Sequence, residues 1–403
     1  GHFRSLDVPT ERKECERRWH STQQRCAEMP PTDEQPAYYC LNAGSLPDEL
    51  YKPTVPVSDW LSRCTTAGAD GFAAGSLASL DPIPPLVLCE RLIGIPLYML
   101  LNVLPFAVPL LLLSGLFKLA LLYYILPLLL LGLGFWAIFH SKGIATGEGK
   151  GPRAQQYLYT ERNSTRYVSL KMLWPASLHF PAHEGKQLIF CAIPHGLAPL
   201  GIVGYAIWSK LFCDRLCRWT AAPVVLKIPL VGSLMKYCGY VPAAAKQIEK
   251  VLSRRDESVG VVLDGIEGMF MSSRKQEVGC VMRRKGIVKI ALRQGAPLVP
   301  VYCFGHTELW TIVTDPLGIL QAISVKLNVS FTPFFGRFGW PLGPPYRKPV
   351  LVACGGPIAC PQTDAPSDEL INQYHAKLMA GYMQVFEQHK AAYGWGDRTL
   401  KLV

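Results

Sequence analysis

Gln187-Leu188-Ile189-Phe190-Cys191-Ala192-Ile193-Pro194-His195-Gly196 runs from an apolar stretch into a turn bounded by proline. Six apolar residues in a row are too few for a buried helix and suit a strand covered on both faces. Pro194 lacks a backbone donor and ends the run. Three further runs have the same character. Val259–Leu263 closes on Asp264-Gly265, Pro297–Cys303 ends at Phe304-Gly305, and Val350–Cys354 precedes Gly355-Gly356. Between them Gly286–Gln294 reads as a helix stopped by Gly295, and Leu197–Phe212 as a helix directly after the first turn. Ser367–Ala392 carries a helical stripe of Leu370, Ile371, Tyr374, Leu378, Tyr382, Val385 and Phe386. Strands alternating with helices predict an α/β fold, a mixed and largely parallel sheet flanked by helices, over residues 150–403.

Upstream the pattern changes. From Leu92 to Phe139 the only charge in 48 residues is Lys118. A bilayer core of roughly 30 Å is spanned by about 20 helical residues. Leu92–Phe117 and Leu119–Phe139 each reach that length, and a turn at Lys118 spares a lysine from the bilayer centre. The expectation is an N-terminal membrane helical hairpin over 92–140, basic at both ends. Residues 1–91 are polar and rich in proline and small residues, and read as a mobile arm.

The 403 residues are 49% hydrophobic and only 18% charged, which excludes wholesale disorder and fits a membrane-associated chain. Net charge is +11, unevenly spread: residues 1–91 hold 9 basic and 13 acidic side chains, leaving 92–403 with a net +15. A cationic body of this kind suits phosphate-bearing ligands or anionic lipid. The 13 cysteines form no C-x-x-C pair, so neither a zinc ribbon nor a disulfide framework is indicated, and free thiols are expected. No Walker loop, G-x-G-x-x-G, G-x-S-x-G or H-E-x-x-H occurs.

Four places carry chemistry. Pro194-His195-Gly196 lies at a strand end, where open α/β sheets place their ligands. A helix starting there would hold the His195 imidazole neutral through its dipole, the state a general base needs, and Gly196 would let substrate approach the backbone. Arg283-Arg284-Lys285, with Lys289 one turn on, puts cations at a helix N-terminus against the dipole; an anionic ligand such as a CoA phosphate would repay that. A solvated or headgroup-facing basic patch is the alternative. In Asp264-Gly265-Ile266-Glu267-Gly268, Glu267 is placed to orient His195 or an acceptor alcohol, and Asp264 is either functional or a turn former. His306 and Glu308 end another strand at the same sheet edge.

These features together resemble the type-2 diacylglycerol acyltransferase family, which includes monoacylglycerol and wax-alcohol acyltransferases. The resemblance rests on P-H-G at 194–196, R-K-G-I-V-K-I-A-L-R-Q-G-A-P-L-V-P-V-Y-C-F-G at 284–305, G-R-F-G-W-P-L at 336–342 and G-G-P-I at 355–358. It implies a glycerolipid-acyltransferase-like fold and acyl transfer from acyl-CoA to a lipid hydroxyl at the endoplasmic reticulum membrane or lipid-droplet surface. His195 would be the catalytic histidine, with Glu267 beside it. Pro194, Gly196, Arg283, Arg284, Lys285 and Lys289 would bind substrate. No metal or separate cofactor is implied, acyl-CoA being a co-substrate. The expected partners are membrane lipid, acyl-CoA and diacylglycerol or another lipid alcohol, without nucleic acid; a homo-oligomer stays open. Ile193 stands where the family carries His or Glu, and the acidic loop is shifted by one place. Wax-ester synthesis, and a non-catalytic lipid-droplet protein on the same scaffold, are the competing readings.

Overall fold

The structure, a computed structural model, describes residues 37–47, 50, 57–82, 165–178, 187–202, 211, 216–227, 232, 235–236, 239–254, 257–271, 276–313, 315, 318–327, 332–341 and 343–403. The expected membrane hairpin, residues 1–36 and most of the helix expected at 197–212 lie outside them. Among the described residues no helix is long and apolar enough to cross a membrane.

In chain order the elements are β1 (Tyr38–Asn42), α1 (Val57–Leu61), β2 (Thr65–Ala67), β3 (Lys171–Pro175), β4 (Ile189–Ile193), β5 (Leu216–Ala221) and β6 (Val241–Pro242). Then come α2 (Ala245–Leu252), β7 (Glu257–Val262), α3 (Gly265–Met271), β8 (Glu277–Gly279), α4 (Gly286–Gln294), β9 (Leu298–Phe304) and β10 (Thr311–Ile312). The chain finishes with α5 (Ile319–Leu327), β11 (Phe334–Phe335), β12 (Leu351–Cys354), α6 (Asp368–His389) and β13 (Leu400–Leu402).

Nine strands form one sheet in the order β2-β1-β3-β12-β9-β4-β7-β5-β6. The half from β9 to β6 is parallel throughout, with Ile189 opposite Val259 on one side and Leu298 on the other. β12 runs antiparallel to β9 and parallel to β3, and β1 closes antiparallel onto β3 with Tyr39 opposite Trp174. The mixed, largely parallel sheet flanked by helices is therefore as expected. The arm is not: part of 1–91 supplies β1 and β2 to the sheet, because Leu41 and Cys40 alternate into the two cores like any interior strand. The chain on either side of residues 83–164 also meets directly. The Asp81 N–H donates to Ser169 Oγ at 2.8 Å, and Lys171 Nζ donates to the Ser79 carbonyl at 2.7 Å.

The β4 pleat sorts its residues. Ile189, Cys191 and Ile193 face a core shared with α4 and α6, where Tyr302, Phe386 and Tyr393 gather around Phe304. Leu188, Phe190 and Ala192 face the opposite core with Trp174, Trp219 and Tyr167. Six fully buried residues in succession leave this strand no polar face, as its sequence foretold. α6 begins where Ser367 Oγ accepts the Leu370 N–H at 3.2 Å, an N-cap. Its Tyr382 hydroxyl donates to the Cys191 carbonyl at 3.0 Å, pinning helix to sheet. The eight described cysteines are free thiols.

Candidate active site

β4, β7 and β9 are adjacent and parallel, so the turns after them open at one edge of the sheet. That edge gathers His195, Asp264 and His306. The Ile193–Pro194 peptide is cis and Gly196 has φ +61°. A Cβ on Gly196 would meet the His306 carbonyl oxygen at 2.8 Å, so both the left-handed backbone and the close approach require glycine here.

The half-buried His195 ring places Nδ1 at 2.9 Å from the Gly196 carbonyl oxygen. A carbonyl only accepts, so Nδ1 carries the proton and Nε2 keeps its lone pair. Burial lowers the imidazole pKa, and the Gly196 carbonyl offsets this only in part. The neutral imidazole expected from the sequence is thus accounted for by desolvation rather than by a helix dipole, while the Gly196 bond fixes the tautomer. Among the described residues no helix begins directly at Gly196. The chain bends at Leu197–Ala198 and enters a 3₁₀ turn at Leu200–Ile202.

The carboxylate at His195 is Asp264. It is fully buried and accepts the His195 backbone N–H at 3.0 and 2.8 Å through its two oxygens. Burial pushes its pKa up to about 7, against the opposing pull of N–H donors from His195 and Gly265 and the nearby Arg284 charge. Gly268 gives this carboxylate room, since a Cβ there would lie 2.3 Å from Asp264 Oδ2. Glu267, expected to orient His195, instead accepts from Arg284 Nη2 at 3.0 Å, both side chains being 43% exposed. The reason is geometric: Asp264 sits at the strand end, whereas Glu267 is already on the first turn of α3 and points at α4's N-terminal flank.

His306 braces the loop from behind. Its Nε2 accepts the Gly201 N–H at 2.8 Å, which leaves the ring proton on Nδ1 to donate to the Pro194 carbonyl at 3.0 Å. Burial drives its pKa down to about 4, so the ring is a neutral strut. The buried Glu277 anchors the neighbouring turn, accepting from Tyr302 Oη (2.9 Å), Thr307 Oγ1 (3.1 Å) and Arg398 Nη1 (3.0 Å). Arg398 also bonds Glu308.

Arg283, Arg284, Lys285 and Lys289 are all exposed at or near the N-terminus of α4, whose N-cap is Lys285 without a side-chain cap. Arg284 reaches the site: its Nη2 lies 3.7 Å from where a Cβ on Gly265 would stand. Lys285 donates to Asn372 on α6 at 2.6 Å. Sequence reasoning put Pro194-His195-Gly196, the loop from Asp264 to Glu267 and His306 at strand ends on one sheet edge, and Arg284 at a helix N-terminus. It missed the backbone bond to Asp264 and the brace from His306, for which the only signal was that each follows an apolar run. Among the described residues no cluster of three or more His, Cys, Asp or Glu could hold a metal.

The family model described as diacylglycerol acyltransferase matches residues 120–403. The chain is 34% identical over 240 residues to 2-acylglycerol O-acyltransferase 1 of Bos taurus, covering 54% of this chain and 71% of that protein. It is 28% identical over 245 residues to diacylglycerol O-acyltransferase 2 of Dictyostelium discoideum, covering 57% and 74%. With acyl-CoA wax alcohol acyltransferase 1 of Homo sapiens it shares 31% over 226 residues, covering 52% and 68%. A solved structure, the 1-acyl-sn-glycerophosphate acyltransferase PlsC from Thermotoga maritima, aligns with 63% of this chain and 89% of that one at 16% identity and a TM-score of 0.35.

Proposed function

The chain belongs to the diacylglycerol acyltransferase family, and from that premise we propose that it is an acyl-CoA-dependent O-acyltransferase that esterifies diacylglycerol to triacylglycerol, with His195 as general base. The observation that carries this reading is the tautomer of His195. Its proton is held on Nδ1 by the Gly196 carbonyl, which leaves an uncharged Nε2 at the open edge of the sheet.

Nε2 takes the proton of the acceptor hydroxyl as that oxygen attacks the thioester carbonyl. The tetrahedral intermediate carries its charge on the former carbonyl oxygen. The Gly196 N–H, which finds no acceptor among the described residues, is the donor nearest to hand. Collapse breaks the C–S bond, and the imidazolium returns its proton to the departing CoA thiolate. Asp264 does not touch the ring; it holds the His195 backbone and so the ring's position. The cations Arg283, Arg284, Lys285 and Lys289 supply charge for the CoA phosphates. Residues Leu92–Phe139 and the lipid acceptor together support a site at the endoplasmic reticulum membrane or the lipid-droplet surface.

The test is His195→Ala in microsomes fed labelled acyl-CoA and a panel of diacylglycerol, monoacylglycerol and long-chain alcohols. Loss of a general base costs about 10²–10⁴-fold in rate. Triacylglycerol synthesis surviving in the variant at near wild-type rate would sink the role of His195. A different dominant product from the unaltered chain would change the acceptor, and none at all would leave a scaffold protein.

A further inference from the structure

Nine large apolar side chains are exposed among the described residues, and five of them fall within 319–340: Ile319, Ile323, Phe335, Phe338 and Trp340. The segment between β10 and the turn after β11 thus concentrates exposed apolar surface that the acyl-transfer site does not use. Ile319 and Ile323 are four residues apart and share one face of α5. Phe338 and Trp340 are 63% and 53% exposed, with ring centroids 5.7 Å apart.

The turn is built to hold these rings out. Phe338 has φ +65°, a left-handed conformation that a bulky side chain rarely adopts. Around it the backbone is tightly tied. The Trp340 carbonyl accepts from Gly336 and Gly343 at 3.0 and 3.1 Å, and the Arg337 N–H donates to the Pro344 carbonyl at 2.7 Å. A floppy loop would relax the strain and bury the rings. This one does neither, the pattern expected where exposure serves a contact.

Charge identifies the contact. Between Asp315 and Asp364 there is no acidic residue, while Lys326, Arg337, Arg347 and Lys348 are cationic. The Arg337 guanidinium lies over the Phe338 ring at 5.1 Å. Aromatic rings beside an arginine, in a stretch whose nearest acid, Asp315, is occupied in accepting the Ile319 and Gln321 N–H groups at 3.1 and 2.8 Å, match the headgroup level of a phospholipid bilayer. There Trp and Phe settle at the boundary and arginine meets phosphate. An aqueous protein partner would have no reason to exclude every acid from the 48 residues 316–363. We propose that the Arg337–Trp340 turn, with the Ile319/Ile323 face of α5, is a membrane-docking surface that seats in the interfacial layer of an anionic phospholipid bilayer. α5 packs against α3, whose first residue follows Asp264, so docking here brings the sheet edge bearing His195 toward the membrane.

The full chain is reconstituted into phosphatidylcholine–phosphatidylserine vesicles, with lipids brominated near the headgroup end of the acyl chain as quenchers, and with iodide in the buffer as the alternative quencher. Nine tryptophans are present, so the Trp340 signal is taken as the difference between the unaltered chain and Trp340→Phe. Brominated lipid is expected to remove roughly half or more of that difference emission, and iodide little of it. The double variant Phe338→Trp/Trp340→Phe moves the reporter two residues and is expected to behave alike. Quenching by iodide alone would place the turn in water and overturn the inference. Quenching by neither would mean that protein, this chain or a second copy, covers it, and would overturn it equally. Activity enters neither readout, so the result stands apart from the role of His195.

Discussion

His195 can act as a base only while neutral, and burial holds its pKa below the ordinary histidine value of 6.5. Activity should be full above that depressed pKa and fall as pH drops through it, giving an acid limb that lies below pH 6.5. Asp264 adds an earlier component, since its ionised form grips the His195 N–H and its pKa is pushed up to about 7. Asp264→Asn keeps one acceptor oxygen but loses the charge. We expect a rate about tenfold lower and a pH–rate profile without the component near pH 7; a variant profile that still bends there would assign it elsewhere. His306→Leu strips partners from the Gly201 N–H and the Pro194 carbonyl, at a cost of roughly 3 kcal/mol in denaturant unfolding together with a fall in kcat. The importance of Pro194-His195-Gly196 is readable locally, because a strand end, a proline and a glycine are all chain neighbours. The Asp264 bond spans 69 residues and the His306 bond 112. Both depend on β7 and β9 flanking β4, an order that no periodicity encodes.

At the scale of elements the same divide holds. β4, β7, β9, β12, α4 and α6 follow from uninterrupted apolar runs or a helical stripe, and each lies within a few residues of its expected place. β5 does not, because Arg218 interrupts Leu216-Cys217-Arg218-Trp219-Thr220-Ala221 with a charge. That charge is neutralised by Glu257 on the adjacent β7, through bonds of 2.6 and 2.7 Å. β3 likewise opens on the buried Lys171, whose Nζ finds the Ser79 carbonyl at 2.7 Å. Charged strands become strands only once their distant partners are known. Glu257→Ala removes the carboxylate that pairs with the partly buried Arg218 and should cost roughly 3 kcal/mol in chemical denaturation; a loss under a few tenths would show the pair to be ornamental. The cations flanking α4 make a kinetic prediction. Arg284→Gln with Lys285→Gln should raise KM for acyl-CoA about tenfold at low salt with little change in kcat. The difference should shrink as salt screens the phosphates. An unchanged KM would leave them to lipid headgroups.

Over the whole molecule, two buried histidines set an acid boundary. Burial takes both His306 and His389 down to about 4. Each is neutral when folded and takes up a proton more readily when unfolded. Their contribution is therefore intact above pH 6.5, is lost progressively between 6.5 and 4, and levels off below. The loss approaches roughly 3 kcal/mol per ring. Thermal unfolding followed from pH 7 to 4.5 should show a steady fall in Tm that His389→Phe lessens; a flat Tm would mean that the rings already exchange protons with solvent. The bond between Asp81 and Ser169, with β1 paired to β3, has a topological consequence. The polypeptide leaves this sheet after Ala67 and is back in it by Lys171, with Asp81 and Ser169 one hydrogen bond apart. Any excursion through a lipid leaflet in between must finish on the side where it set out, so traversals can only come in even numbers.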